Sequence, residues 1–220
     1  MPTGRYLLGG PEGPGEERFS CAPGPVGWRY VGTRTEPRDS AGAVTSAVTG
    51  SVDVTVDARW RPLRVEVCSG AHVVRAGLTA AGLAWVRDGL EGAAAGAALA
   101  ASSPALLVVR AHLVALLAVG VSPVLRVLRL DGPALAPVDR AERWRLTEVV
   151  EHPTDLGPLP VQHWAVDDLM TGEQSHVHLA GDVVLAAEGP AWAVTLEELD
   201  GPPNLLASPP PAPHSPPHPR

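Results

Sequence analysis

Apolar and polar residues alternate strictly through Val52-Asp53-Val54-Thr55-Val56-Asp57 and again through Leu63-Arg64-Val65-Glu66-Val67, with a turn over 58–62 between them. A period of two predicts antiparallel strands with one dry face and one wet face. Strands follow at about 71–78 and 83–86. In the second half the same pattern predicts strands at 144–150, 161–167, 176–179, 183–187 and 192–196, with turns at Thr171-Gly172 and Gly181-Asp182. The small residues of 40–50 read as a loop. Residues 91–101, almost wholly Ala and Gly, read as a weak helix or a linker.

The longest apolar run, 105–119, allows two readings. Ser103-Pro104 before it and Gly120 after it resemble a capped helix, with Ser at the N-cap and Pro at the first helical position. Val108, Val109, Val114 and Val119 favour a buried strand pair instead. The run is broken by Arg110 and His112 and is shorter than the roughly 20 residues of a membrane span.

The halves repeat. Trp28-Arg29, Pro37 and Asp39 recur as Trp144-Arg145, Pro153 and Asp155 at an offset of 116. Val56-Asp57, Val67, Val73-Val74 and Ala76 recur as Val166-Asp167, Val177, Val183-Val184 and Ala186 at an offset of 110. Matches of Trp, Pro and Asp in fixed order point to a tandem duplication. The expected fold is therefore mainly β (α+β), an internally duplicated antiparallel β-roll or half-barrel with one or two helices between the copies. The expected units are a first β repeat over 1–90, an Ala-rich linker and helix over 91–120, a second β repeat over 121–200, and a Pro-rich disordered tail over 201–220.

Composition narrows the function. The chain of 220 residues has 24 Pro, 23 Gly and a formal net charge of −7, and contains neither Lys nor Ile. The bias is that of a GC-rich genome of actinobacterial type. Arg126, Arg129, Arg140, Arg143 and Arg145 form the densest basic group, but Asp131, Asp139, Glu142 and Glu148 dilute them into a solvated strand face. Without clustered positive charge, nucleic acid is not an expected partner. No charged segment followed by an apolar stretch opens the chain, so a cytoplasmic location is expected. Cys21 and Cys68 match no metal or redox spacing and read as small apolar residues.

His163, Asp167, His176 and His178 are the candidate metal ligands. A turn at Thr171-Gly172 would set 167 opposite 176 and 165 opposite 178, with all four side chains on one sheet face. The corresponding first-half positions, Asp53, Asp57, Glu66 and Cys68, have different chemistry, which favours a solvated face. No nucleophile elbow, cysteine–histidine motif or phosphate loop occurs, so no catalytic residue and no cofactor are assigned.

The dry face carries the candidate ligand-binding residues: Val54, Val56, Val65 and Val67 in the first half, and Trp164, Val166, Val177 and Trp192 in the second. Six Trp stand against one Phe and two Tyr. Curved sheets with small inner side chains leave space for an apolar ligand.

The segment Val54-Thr55-Val56-Asp57-Ala58-Arg59-Trp60-Arg61-Pro62-Leu63-Arg64-Val65-Glu66-Val67 resembles a signature of the glycolipid-binding family of bacterial proteins, in which a strand ends in Asp, a Trp-Arg turn follows and an apolar strand returns. The resemblance implies a spiral β-roll around an apolar groove. The second half departs from it, with Leu169-Met170-Thr171-Gly172 in place of the Trp-Arg turn. The expected function is non-catalytic binding of an apolar or glycolipid-like small molecule between the β units. The alternatives are an interaction module working through a sheet edge or the Pro-rich tail, and an enzyme built on the histidine face.

Overall fold

The computed structural model describes residues 1–10, 13–24, 27–40, 43–96, 98–117, 122–190 and 192–205. Among the described residues, fifteen strands form one sheet, with one helix. The first eight are β1 (Thr3–Gly9), β2 (Gly15–Gly24), β3 (Gly27–Ser40), β4 (Ala43–Asp57), β5 (Pro62–Ser69), β6 (His72–Thr79), β7 (Gly82–Arg87) and β8 (Leu90–Ala94). After β9 (Ala98–Ala100) and helix α1 (Pro104–Leu117) come β10 (Val124–Asp131), β11 (Ala136–His152), β12 (Leu159–Asp168), β13 (Gln174–Ala180), β14 (Val183–Gly189) and β15 (Trp192–Asp200).

The strand order is two antiparallel meanders joined back to back. β1 pairs with β2 on one side and with β15 on the other, so the first strand closes onto the last and fuses both halves into one sheet. Only β9 and β10 pair in parallel. A parallel pair needs a crossover of a dozen or more residues, and α1 supplies it.

The helix is the centre of the molecule. Its residues are apolar on every side, and a helix of that kind is stable only when enclosed. Ala105, Leu106, Val108, Val109, Ala111 and Val114 are all at most 1% exposed. The sheet curls around this helix. Ser103 at its start meets β2, Arg110 meets β11, and His112 meets the β13–β14 turn. The helical alternative for 105–119 thus prevails over the strand pair through 117, since a strand there would leave the interior empty. Ser103 accepts from Ala105 N–H through Oγ at 3.4 Å, as its N-cap position requires.

Three expectations are corrected. Segment 40–50 belongs to the β3–β4 hairpin, which pairs continuously from Gly27–Asp57 to Ser40–Ala43 with one bulge at Arg34/Thr35. Small residues there mark a long two-stranded arm. Residues 91–101 contain strands, because Leu83 to Arg87 offer an edge that 90–94 completes and β10 offers one to Ala98–Ala100. The Pro-rich segment does not leave the protein at Gly201. Asn204 is bound to Asp182 through its backbone N–H at 2.8 Å and its side-chain amide at 2.7 Å. The rest of the expected tail, 206–220, lies outside the described residues.

Trp28 pairs with Val56, and Trp144 pairs with Val166. Past that hairpin the registers part, for Val54 faces Val65 whereas Trp164 faces Val177. Different turns cause the slip. In the first, Asp57 Oδ1 accepts from the backbone N–H groups of Arg59 and Arg61, and Trp60 takes a positive φ of 59°. That uncommon conformation turns the indole inward, where it stacks on His112 with ring centres 3.9 Å apart. In the second, Asp168 Oδ1 organises Met170 and Thr171.

Candidate functional site

Among the described residues, five polar side chains are buried: Glu17, Ser103, Arg110, Glu142 and Asp182. They gather in three places around the helix.

Asp182 forms a closed knot. It accepts from Trp28 Nε1 at 2.9 Å, Cys21 Sγ at 3.5 Å, and both donors of Asn204. Beside it, His112 Nε2 lies 3.0 Å from the carbonyl of Gly181. Gly181 has a φ of +55°, and a Cβ there would stand 2.3 Å from the Asn204 carbonyl oxygen, so only glycine lets the tail lie this close. Burial holds His112 below its ordinary pKa of 6.5 and so keeps it neutral at pH 7. It also raises the Cys21 thiol, which is therefore no nucleophile.

Glu142 and Arg110 form a buried ion pair, and Glu142 Oε2 accepts from Trp144 Nε1 at 2.9 Å. The Arg110 guanidinium sits 5.5 Å from the Trp144 ring centre. Glu142 lies on the same strand face as Trp144, two residues away. The expectation that it belongs to a solvated face is corrected.

Glu17 belongs to the inner stripe Glu17, Phe19, Cys21 of β2 and is paired across the ladder with Arg34. Its Oε1 accepts from Tyr30 Oη at 2.5 Å and Ser103 Oγ at 2.9 Å. Burial pushes its pKa up to about 7, against the hydrogen bonds from Tyr30 and Ser103 and the charge of Arg34.

Two cavities open beside the start of the helix. One, of about 470 Å³, has Glu17, Arg34, Thr49, Ser51 and Val67 in its wall. The other, of about 420 Å³, is lined by Leu8, Leu107, Trp144, Val166, Trp192 and Val194, among others, and also by Arg110 and Glu142. They share Arg34, Ala101, Ser102, Ser103, Gly132 and Pro133. Sharing this wall, they border one cleft region, of which the first part holds the polar groups Glu17, Arg34, Thr49 and Ser51 and the second is the more apolar.

Of the residues singled out in the sequence, Val67, Val166 and Trp192 line this cleft. Val54, Val56, Val65, Trp164 and Val177 are buried in the core. The sequence reading missed Glu17, Arg110, Glu142 and Trp144 as cleft residues. A signal existed for two of them, since each carboxylate occupies the dry register of its strand.

The histidine face has a different register from the one expected. His163 pairs with His178, Ala165 with His176, and Asp167 with Gln174, because the turn is centred one residue earlier. His163 and His178 meet edge to face at 4.3 Å, Glu148 stands 3.6 Å from His163, and Asp167 accepts from Gln174 at 2.8 Å. Among the described residues, no three of His, Cys, Asp or Glu are grouped to hold a metal.

The folded chain is similar to two solved structures. A DUF1089 family protein from Pseudomonas aeruginosa superposes with a TM-score of 0.53 at 14% identity, over 77% of this chain and 87% of that one. A beta-barrel-like protein of the domain of unknown function DUF1849 from Brucella abortus gives a TM-score of 0.54 at 12% identity, over 90% of this chain and 96% of that one. Likeness at such identities speaks for the fold, a curled beta-barrel-like sheet. No family model and no curated protein matches the sequence. Among the described residues, no helix is long and apolar enough to cross a membrane.

Proposed function

We propose that the protein binds an amphiphilic small molecule of glycolipid-like character in the cleft beside the start of α1, without transforming it. The observation that carries this reading is that two cavities, the second more apolar than the first, share a stretch of wall at the start of the helix. The apolar half offers Leu8, Leu107, Trp144, Val166, Trp192 and Val194 to a hydrocarbon chain. The polar half offers hydroxyls and a carboxylate to a head group. Apolar walls with a few convergent polar groups are the usual make-up of a small-molecule site. The matching register of Trp28–Val56 and Trp144–Val166 supports a duplicated origin of the two halves.

Titration with n-octyl-β-D-glucoside below its micellar concentration, followed by tryptophan emission, tests the reading. A saturable shift is expected for the wild-type chain and its loss in Ala101→Phe, which places a ring where the two cavities meet. Absence of a saturable signal, or equal binding by Ala101→Phe, would overturn it.

A further inference from the structure

Every guanidinium in the cleft wall is already matched by a carboxylate. Arg34 bonds Glu36 at 3.2 Å and Ser102 at 3.1 Å, Arg110 is held by Glu142, and Arg129 by Asp131. Glu173 and Asp168 add further negative charge to the wall. An arriving anion would find no unmatched positive charge.

Glu17 sharpens the point. It is 4% exposed, and its hydrogen bonds from Tyr30 and Ser103 both fall on Oε1. Space for the carboxylate is built in, since a Cβ on Gly32 would stand 2.6 Å from Oε1. Thr49 Oγ1 in the same wall is buried without a partner. A buried hydroxyl without a partner, in the same wall as a buried carboxylate, suits a hydroxyl-bearing head, which both donates and accepts.

We infer that Glu17 sets the charge class of the ligand, so that the cleft accepts amphiphiles with an uncharged, hydroxyl-bearing head and rejects those with an anionic head. The inference rests on the amphiphile reading above. An anionic head would place a second negative charge against Glu17, whereas a hydroxyl head adds no charge and can pair with Thr49 Oγ1. Specificity then comes from repulsion of the wrong head as much as attraction of the right one.

The test compares n-octyl-β-D-glucoside with n-octyl sulfate, both below their micellar concentrations, at pH 8.5. The wild-type chain is expected to bind the glucoside at least about ten-fold more tightly than the sulfate, and Glu17→Gln to bring the two within about three-fold. Gln keeps the oxygen that Tyr30 and Ser103 address, so the substitution is close to isosteric. A second arm needs no variant. At pH 6 the wild-type preference should shrink as it does in Glu17→Gln, because the carboxyl is then protonated. The ionisable groups that meet Glu17 are Tyr6 of β1 and Tyr30 and Arg34 of β3, and burial holds both tyrosines well above 10, so neither ionises between these pH values. Equal binding of sulfate and glucoside by the wild type, or an unchanged ratio in both arms, would overturn the inference and leave the amphiphile reading standing. Failure of both ligands to bind would overturn the reading itself.

Discussion

Trp28 and Trp144 hold matching places in the two halves, each opposite a valine, and each donates its indole N–H to a buried carboxylate at 2.9 Å. Their surroundings differ. Around Trp28 the acceptor Asp182 is saturated by Cys21 and Asn204, and Trp60 packs on both the indole and His112. Around Trp144 the acceptor Glu142 holds Arg110, and the indole forms the wall of a 420 Å³ cavity. One end of the roll is thus sealed with polar groups turned on each other, and the other keeps its polar groups at an open cleft. The same local device is closed off by its neighbours at one place and borders a cavity at the other.

The largest effect that separates the ends is expected from removal of the carboxylates. Asp182→Ala should cost about 3–4 kcal/mol, since it strands the Trp28 and Asn204 donors where water cannot reach. Glu142→Ala should cost only about 2 kcal/mol, because water in the cleft can solvate Arg110. Denaturant unfolding of both variants measures this, and equal losses would erase the distinction.

The two ends should also answer pH with opposite sign. Glu17 titrates near 7 when folded against 4.5 for an ordinary glutamate. The folded state therefore holds a proton that the unfolded chain has lost between these values. Its contribution is full at low pH and declines as pH rises through 7, by about 3 kcal/mol in all. His112 is pushed below 6.5, so at the sealed end stability is present above that value and is lost as pH falls. In stability profiles from pH 4.5 to 8.5, Glu17→Gln should remove the decline between about 4.5 and 7 and leave the opposite loss below 6.5, which belongs to His112, in place. A decline that persists in the variant would contradict this assignment.

Smaller effects sharpen the contrast. Asn204→Ala should lower stability by about 1 kcal/mol, because its half-buried amide bonds to the buried Asp182 carboxylate although the residue lies in a Pro-rich segment. Arg29→Ala, which breaks an exposed ion pair with Asp53, should change stability by less than about 0.5 kcal/mol. Thermal melts of the two variants would show whether the tail contact outweighs the surface pair.

Much of this architecture is legible in the chain. The alternation at 52–57 and 63–67 is a purely local consequence of strand geometry, so those strands and their dry faces follow from it. Ser103-Pro104 marks the helix start for an equally local reason. That the sheet wraps this helix is not local. Val108, Val109 and Val114 suit either element, and only closure of β1 onto β15 encloses the run. Enclosure also explains why the inner valines face α1 and why the open space lies at its start. Glu17 and Glu142 are readable in hindsight as carboxylates in apolar registers. Asp182 is not, for Gly-Asp is an ordinary turn pair and its partners are distant in sequence.

The account turns on which tryptophans a ligand chain touches. Quenching by an alkyl glucoside brominated at its chain end addresses this directly. The expected result is strong quenching in the wild type and in Trp28→Phe/Trp60→Phe, with most of it lost in Trp144→Phe/Trp192→Phe. Quenching that survives in the second double variant and vanishes in the first would place the ligand at the sealed end and contradict the account.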